Sequence, residues 1–339
     1  IQLFGNDSWG NDFSSEPRRF TVKYIDIITP ERKEYLNADE GYYPGTIGFE
    51  HYKTGEAMYD WNYDSPGTTS GEIIDSYKGH NKVWRIYDNN PSGNFDSYKS
   101  FSNQSYGTVE LWMLIKTLDG GSYVVLKDSN LPANPIIKLA YKSGEYLKTY
   151  NGSNPNTYNY TEFGKLEEDK WYHIRIDFRV FGADPYLGLS ENHFLVYLNG
   201  TAANNEFLLR ESNLNINTIN LASGYSSNGA DYYTYFDAVG FSWDSHYEVG
   251  DDLQVGLLVS FQSYKNENYS YSLNDEANKA IFGNFTIPML ERGRHTIQIF
   301  GNNSLGEEFS SQKHAFYIGI MMECKSPICK NASGVKLSI

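Results

Sequence analysis

Along most of this chain, apolar and polar residues alternate with a period of two in short segments, and turn-forming residues separate these segments. A period of two places successive side chains on opposite faces of a β-strand, whereas an amphipathic helix needs a period near 3.6 residues. The 29 tyrosines, 19 phenylalanines and 6 tryptophans agree with strands, because aromatic side chains suit a pleated surface. The sequence therefore predicts an all-β protein with little helix.

The opening of the chain is repeated near its end. Residues 1–22 (IQLFGNDSWGNDFSSEPRRFTV) and 297–318 (IQIFGNNSLGEEFSSQKHAFYI) are identical at 11 of 22 positions. Alternation around a Gly-Asn-(Asp/Asn)-Ser-x-Gly turn predicts a β-hairpin in each copy. Further strand segments precede the later copy, so we predict a small β-sandwich over 252–320. The earlier copy, with 1–24, is predicted to be the last hairpin of a similar module, either as a fragment of a longer chain or donated to another copy.

The middle of the chain contains most of the strand segments. Residues 25–44 carry a proline and several charges and are predicted to be a linker. Nine or more strands over 45–251 imply two large packed sheets, a jelly-roll or concanavalin A-like sandwich. The acidic loop 244–252 is predicted to be a solvated connection, and its shortness predicts that the two sandwiches dock rigidly.

Two sets of residues carry a family resemblance. In the small sandwich, Tyr271-Ser-Leu-Asn-Asp and the run from His295 to Gly306 resemble an archaeal surface-protein Ig-like repeat. In the central domain, three runs resemble the laminin-G-like branch of the concanavalin A-like superfamily: they are Gly107 to Trp112, Lys170 to Phe178 and Phe194 to Gly200. A fourth run, Tyr235 to Asp244, resembles archaeal surface proteins in which such a jelly roll is followed directly by the Ig-like repeat. The resemblance implies a concanavalin A-like jelly roll followed by an Ig-like sandwich, in a protein that adheres, binds glycans or builds a scaffold.

The same resemblance implies a structural calcium ion. Related jelly rolls hold Ca²⁺ where their first and last strands meet, and Glu50 and Asp237 lie at the matching Phe-Glu and Phe-Asp pairs. Two carboxylates with backbone carbonyls can supply several of the hard oxygen ligands that Ca²⁺ takes. The alternative is that Glu50 and Asp237 form a hydrogen-bonded or solvent-facing pair without an ion.

Several features favour an extracellular or cell-surface glycoprotein. The chain contains nine Asn-x-Ser/Thr sequons, which are glycan acceptors on a secreted chain: Asn6, Asn103, Asn151, Asn159, Asn199, Asn268, Asn284, Asn302 and Asn331. The tail 321–339 holds Cys324 and Cys329 around a turn-forming spacer, which predicts a disulfide, with two free thiols as the alternative.

Composition also excludes some partners. A formal charge of −14 without a basic cluster argues against nucleic acid, and no segment reaches the length of a membrane-spanning helix. The predicted partners are other copies of the chain, other surface proteins or glycans.

We therefore predict a structural module of a surface glycoprotein, which assembles head-to-tail into a filament through its terminal Ig-like strands. A lectin-like adhesin is the alternative, because Trp61, Tyr63 and the tyrosine-rich run 141–160 offer aromatic platforms, although the ligand is unknown. A glycoside hydrolase ranks third, since the Glu-x-Asp-x-x-Glu spacing of such enzymes is missing. The prediction is that the chain is not an enzyme.

Overall fold

The computed structural model describes residues 2–18, 25–36, 38–90, 93–118, 120–130, 135–142, 146–150, 160–210, 215–224, 232–263, 268–303 and 305–319. Within them, all regular structure is β-strand apart from one short 3₁₀ helix, so the all-β prediction is confirmed.

The strands up to the end of the central domain are β1 Phe4–Asn6, β2 Asp12–Ser14, β3 Ile25–Thr29, β4 Glu34–Tyr35, β5 Asn62–Asp64, β6 Ser70–Tyr77, β7 His80–Asp88, β8 Asp96–Gln104, β9 Tyr106–Ile115, β10 Gly121–Lys127, β11 Pro135–Lys142, β12 Tyr146–Tyr150, β13 Tyr160–Lys165, β14 Lys170–Arg179, β15 His193–Leu198, β16 Thr201–Ala202, β17 Phe207–Leu208, β18 Ile216–Gly224 and β19 Tyr232–Phe241. After the 3₁₀ helix η1 Asp251–Leu253 come β20 Leu257–Ser263, β21 Asn268–Leu273, β22 Lys279–Ile281, β23 Phe285–Ile287, β24 Gly293–Asn302, β25 Glu308–Ser310 and β26 His314–Ile318.

The central domain is a jelly-roll sandwich of two large antiparallel sheets. One sheet has the order β13-β12-β11-β10-β18-β8-β5, and the other has the order β16-β15-β14-β9-β19-β7-β6, with β17 beside β15. Alternate residues of the central strands enter the shared core, as Val109, Leu111 and Met113 do from β9. In the eight-stranded sheet, the residues between these core residues face outward, and this outer face carries the candidate site.

The smaller sandwich is assembled from segments that precede and follow the jelly roll in the sequence. Its sheets have the orders β23-β20-β3 and β22-β21-β24-β26-β4, and β25 pairs with β24. Strands β3 and β4 come from the segment predicted to be a linker, so that prediction is wrong for 25–35. Ile25, Ile27 and Tyr35 are buried in the core of this sandwich, because β3 pairs with β20 and β4 pairs in parallel with β26. The jelly roll is thus inserted between β4 and β20.

The N-terminal repeat forms the predicted hairpin. Phe4 pairs with Ser14 and Asn6 with Asp12, which is the register of Phe300 with Ser310 and of Asn302 with Glu308 in the second copy. Among the described strands, β1 and β2 pair only with each other.

Candidate functional site at the junction of the two sandwiches

A group of polar side chains is buried on the outer face of the eight-stranded sheet. Strands β9 and β14 are neighbours, with Glu110 opposite Arg175 and Trp112 opposite His173. This face is covered near its centre by the two connections to the smaller sandwich, which are joined by a hydrogen bond from the Gly256 amide to the Tyr42 carbonyl, 2.7 Å long. The connections remove from water a face that would otherwise be solvated.

Glu110, His173 and Asp252 form the centre of this group, and we call them the junction triad. Nε2 of His173 lies 2.9 and 3.0 Å from the two carboxylate oxygens of Asp252, and 3.8 Å from Oε1 of Glu110. All three side chains are buried. Burial and the nearby charge of Asp252 raise the pKa of Glu110. The triad joins two strands of the jelly roll to η1, which lies in the connection.

Two neighbours fix the orientation of Glu110. The Tyr247 hydroxyl and the Gly250 amide donate to Oε2 at 2.9 and 2.6 Å. Gly250 has a φ of 98°, which favours glycine. Gly240 lies opposite Glu110 on β19, where a Cβ atom would be 2.1 Å from the Tyr247 ring. Both glycines are therefore needed for these contacts.

A second buried pair lies on the same face. Nδ1 of His80 is 2.7 Å from Oδ2 of Asp237, and the imidazole packs between the rings of Tyr43 and Trp171, each with its centroid at 4.1 Å. Burial lowers the pKa of His80 to about 3, and burial together with the charge of Glu50 raises the pKa of Asp237. The imidazole is therefore neutral at pH 7.

The predicted calcium ligands Glu50 and Asp237 are both buried, but each carboxylate is bound by hydrogen-bond donors. Thr286 of the smaller sandwich donates to Oε1 of Glu50 at 2.6 Å, while the Ala238 amide donates to Oδ1 of Asp237 at 2.8 Å. Burial raises the pKa of Glu50 to about 8, which favours a neutral carboxyl. These contacts do not fit an oxygen cage for Ca²⁺, and the calcium ion stays a prediction without support from them.

Glu50 is expected to make stability fall as pH rises. In the folded chain Glu50 keeps its proton up to a pKa of about 8, whereas in the unfolded chain it releases the proton near the ordinary pKa of 4.5. Stability therefore declines between these values, by up to about 1.4 kcal/mol per pH unit for one proton. Below pH 6.5 the lowered pKa values of His51 and His80 act in the opposite direction, while the raised pKa of Asp237 acts in the same direction as that of Glu50. The effect of Glu50 is therefore measured as a difference between the native chain and a variant, in the window pH 6.5–8.

Urea unfolding across this window should show a steeper loss of stability in the native chain than in Glu50→Gln. Glu56→Gln, a change at an exposed glutamate, is the matched control and should keep the native slope. Parallel slopes for the native chain and Glu50→Gln would contradict a neutral Glu50.

Apart from Asn199, whose side-chain oxygen accepts from the His173 amide, the other predicted residues lie away from the junction triad. Five sequon asparagines are exposed, namely Asn6, Asn103, Asn199, Asn268 and Asn302. Asn284 is half-buried and accepts a hydrogen bond from the Phe261 amide. Three more sequons and both cysteines, Asn151, Asn159, Asn331, Cys324 and Cys329, lie outside the described residues. Of the proposed aromatic platforms, Trp61 and Tyr141 are core residues.

The sequence analysis does not predict that the residues of the junction triad come together. Asp252 lies in the loop predicted to be solvated, yet it is fully buried, so that prediction is wrong for this residue. Glu110 and His173 enter the sequence analysis only as members of the runs that carry the family resemblance. One signal that could identify them is that they occupy outward-facing positions on strands whose core-facing residues are mostly large and apolar.

In the described part of the chain, no helix is long and apolar enough to cross a membrane. No protein-family model and no curated protein matches the sequence.

Solved structures with a similar arrangement include a sialidase, with 13% identity and a TM-score of 0.44 over 55% of this chain and 17% of the sialidase. A cellulose-induced protein, Cip1, has 12% identity and a TM-score of 0.41, covering 55% of this chain and 93% of Cip1. A Bacillus licheniformis beta-glucanase has 15% identity and a TM-score of 0.38, covering 57% and 95%. The chain thus spans under a fifth of the sialidase, and these distant likenesses carry no argument about activity.

Proposed function

We propose that this chain is a rigid structural unit of an extracellular or cell-surface glycoprotein, and that it assembles head-to-tail through its N-terminal hairpin. The observation that carries the proposal is a difference between the two repeat copies. Leu3 is 71% exposed, whereas its counterpart Ile299 is fully buried in the smaller sandwich. The N-terminal copy therefore has an apolar face that lacks the cover its twin receives.

Rigidity is supported by the way the two sandwiches are joined. The chain crosses between them twice, and in the first crossing the ring of Tyr43 stacks on the buried ring of His80. The Trp112 indole donates to the Asp252 carbonyl at 2.7 Å, and Thr286 reaches across to Glu50. The exposed sequons support an extracellular location, because glycans need surface positions.

The partner surface that we propose is the edge strand β22 of the smaller sandwich in another copy. In the second repeat copy, residues 300–302 of β24 pair on one side with β25 and on the other with β21. Among the described strands, the corresponding residues 4–6 of β1 have a partner on the β2 side alone. Strand β22 is an edge of the six-stranded sheet, and Phe282 directly after it is 79% exposed. A hairpin added there would extend the sheet and cover Phe282.

Light scattering after size-exclusion chromatography tests this contact. The native chain should grow in mass with concentration, and both Leu3→Ser and Phe282→Ser should stay monomeric. An equimolar mixture of the two variants should stop at dimers, because one variant can only accept and the other can only donate. Trp9→Ser is the matched control, since Trp9 and its counterpart Leu305 are both exposed, at 86% and 82%. A native chain that is monomeric at every concentration would contradict the proposed contact between the hairpin and β22.

A glycan-binding adhesin is the second candidate. On the outer face of the eight-stranded sheet, the ring of Tyr77 stacks on Tyr235 at 4.1 Å, and Tyr233 lies 5.0 Å from Tyr87. Tyr77, Tyr87 and Tyr233 are half-exposed, so the row offers flat apolar surface next to polar groups. A glycan array should then show binding that Tyr233→Ala abolishes. An array without any signal would contradict the adhesin and leave the structural role as the remaining candidate.

Enzyme activity is not part of the proposal. Hydrolysis of a glycosidic bond needs two carboxyl groups that flank the substrate. Glu110 and Asp252 are buried under the connection, where Tyr247 and His173 already contact them.

A further inference from the structure

We propose that the junction triad, Glu110, His173 and Asp252, binds one divalent transition-metal ion of the Zn²⁺ class. One imidazole nitrogen and two carboxylates converge there from β9, β14 and η1, and their ligand atoms lie within 4.8 Å of one another. This site stands on its own contacts and does not require head-to-tail assembly.

The first argument is the buried charge. Two carboxylates removed from water next to each other are costly unless positive charge compensates them. The guanidinium of Arg175, which lies opposite Glu110 on β14, is already engaged by Asp177, to which its Nε and Nη2 donate at 2.8 and 2.9 Å. A divalent cation between Glu110 and Asp252 would balance both charges while the imidazole of His173 stays neutral.

The second argument is the type of ligand. Imidazole nitrogen with carboxylate oxygen suits Zn²⁺ and neighbouring first-row metals, whereas Ca²⁺ takes six to eight oxygen ligands. Three protein ligands leave a fourth position of a tetrahedral ion for water. The set therefore matches a zinc-type ion and does not match calcium.

The third argument is the support around the ligands. Tyr247 and Gly250 donate to Oε2 of Glu110, so that Oε1 is the oxygen that faces Nε2 of His173. The Trp112 indole holds the backbone of Asp252, and the side-chain oxygen of Asn199 accepts from the backbone amide of His173. Hydrogen-bonded ligands of this kind are typical of metal sites, because the outer partners orient the inner ones.

The competing explanation is an ion pair between a protonated His173 and Asp252 without metal. It accounts for the 2.9 Å contact, but one charged imidazole would then have to compensate two carboxylates, with Glu110 at the longer distance of 3.8 Å. The two explanations differ in whether the chelated protein takes up an ion.

The test uses the full chain after dialysis against a chelator. Calorimetric titration with Zn²⁺ should give one ion per chain, and Co²⁺ should give the visible absorption of a tetrahedral N/O site. The melting temperature should rise by about 5–10 °C at a metal concentration near 100 times Kd. His173→Gln and Glu110→Gln should each weaken binding by at least about tenfold, the lower end of what even outer-partner changes cause.

His80→Gln is the matched control, because His80 is the other buried histidine on this face and pairs with Asp237 alone. It should bind Zn²⁺ as the native chain does. No uptake by the native chain would overturn the metal site in favour of the ion pair. Binding that survives both His173→Gln and Glu110→Gln would overturn it in favour of another site. If His173→Gln fails to fold, Glu110→Gln decides, since an amide oxygen still accepts from Tyr247 and Gly250.

Discussion

Removing residues 1–37 is expected to unfold the smaller sandwich and to leave the jelly roll folded. The deletion takes away β3 and β4, and with them the buried side chains of Ile25, Ile27 and Tyr35. Each such side chain contributes about 1.5–3 kcal/mol by burial, roughly 5–9 kcal/mol together. A domain of this size has a total stability of about 5–15 kcal/mol, so the remaining strands should not hold.

Amide hydrogen exchange measures this outcome region by region. In the shortened chain, β20 and β26 should exchange freely, while β9 and β14 in the centre of the jelly roll keep their protection. Deleting only residues 1–18 is the control, because β1 and β2 pair with no other described strand. Protection of β20 in the chain without residues 1–37 would show that the smaller sandwich does not need its early strands.

Asp252→Ala is expected to be the most destabilising single change at the junction, at about 3–5 kcal/mol. The substitution removes the buried carboxylate that contacts His173, directly or through an ion, in a site closed to water, and losing one partner of a buried ionic contact carries that cost. Asp251→Ala is the matched control one residue earlier. Asp251 is half-exposed and accepts one bond from the Glu248 amide, so its loss should cost about 1 kcal/mol.

Denaturant unfolding gives the two free energies, and small-angle X-ray scattering gives the angle between the sandwiches. We expect the native chain and Asp251→Ala to scatter as one rigid particle, and Asp252→Ala to require a range of orientations. Equal, small losses of stability in both variants would mean that the junction triad does not hold the connection.

Alternation in the sequence was enough to predict the inner strands of the jelly roll. Strands β9, β14 and β19 lie where the pattern placed them, because each faces the core with every second residue. Strands β6 and β8 are harder to predict because they are rich in serine and charge. Strand β6 is the edge strand that forms a hairpin with β7, whereas β8 pairs with β18, more than 100 residues later.

Two parts of the fold could not be predicted from local sequence, namely strand β3 and the conformation of residues 45–52, and each has a physical reason. Ile25 and Ile27 do alternate, but their partner strand β20 lies beyond the entire jelly roll, and a local pattern cannot identify it. The apolar residues Ile47 and Phe49 alternate as in a strand, yet within residues 45–52 only Ile47 forms a bridge, with Val239. Phe49 has a φ of 67°, so the backbone turns immediately before Glu50.

The site was less predictable than the fold. Asp252 is buried against the imidazole of His173 on β14 and the indole of Trp112 on β9. The sequence of the loop around Asp252 contains no sign of either contact. The sequence predicted that Glu50 and Asp237 act together, either as calcium ligands or as a pair without an ion. The structure places both of them at the junction, with Thr286 and His80 as their partners.

The insertion of the jelly roll between β4 and β20 has a mechanical consequence. The chain leaves the smaller sandwich after Tyr35 and returns beside its exit, where Gly256 meets Tyr42. A pull applied between Ile25 and Ile318 would load the ladders β3–β20 and β4–β26 in the smaller sandwich. The inserted domain would hang beside the path of tension, so that a fibre of such units could be stretched without unravelling its largest component.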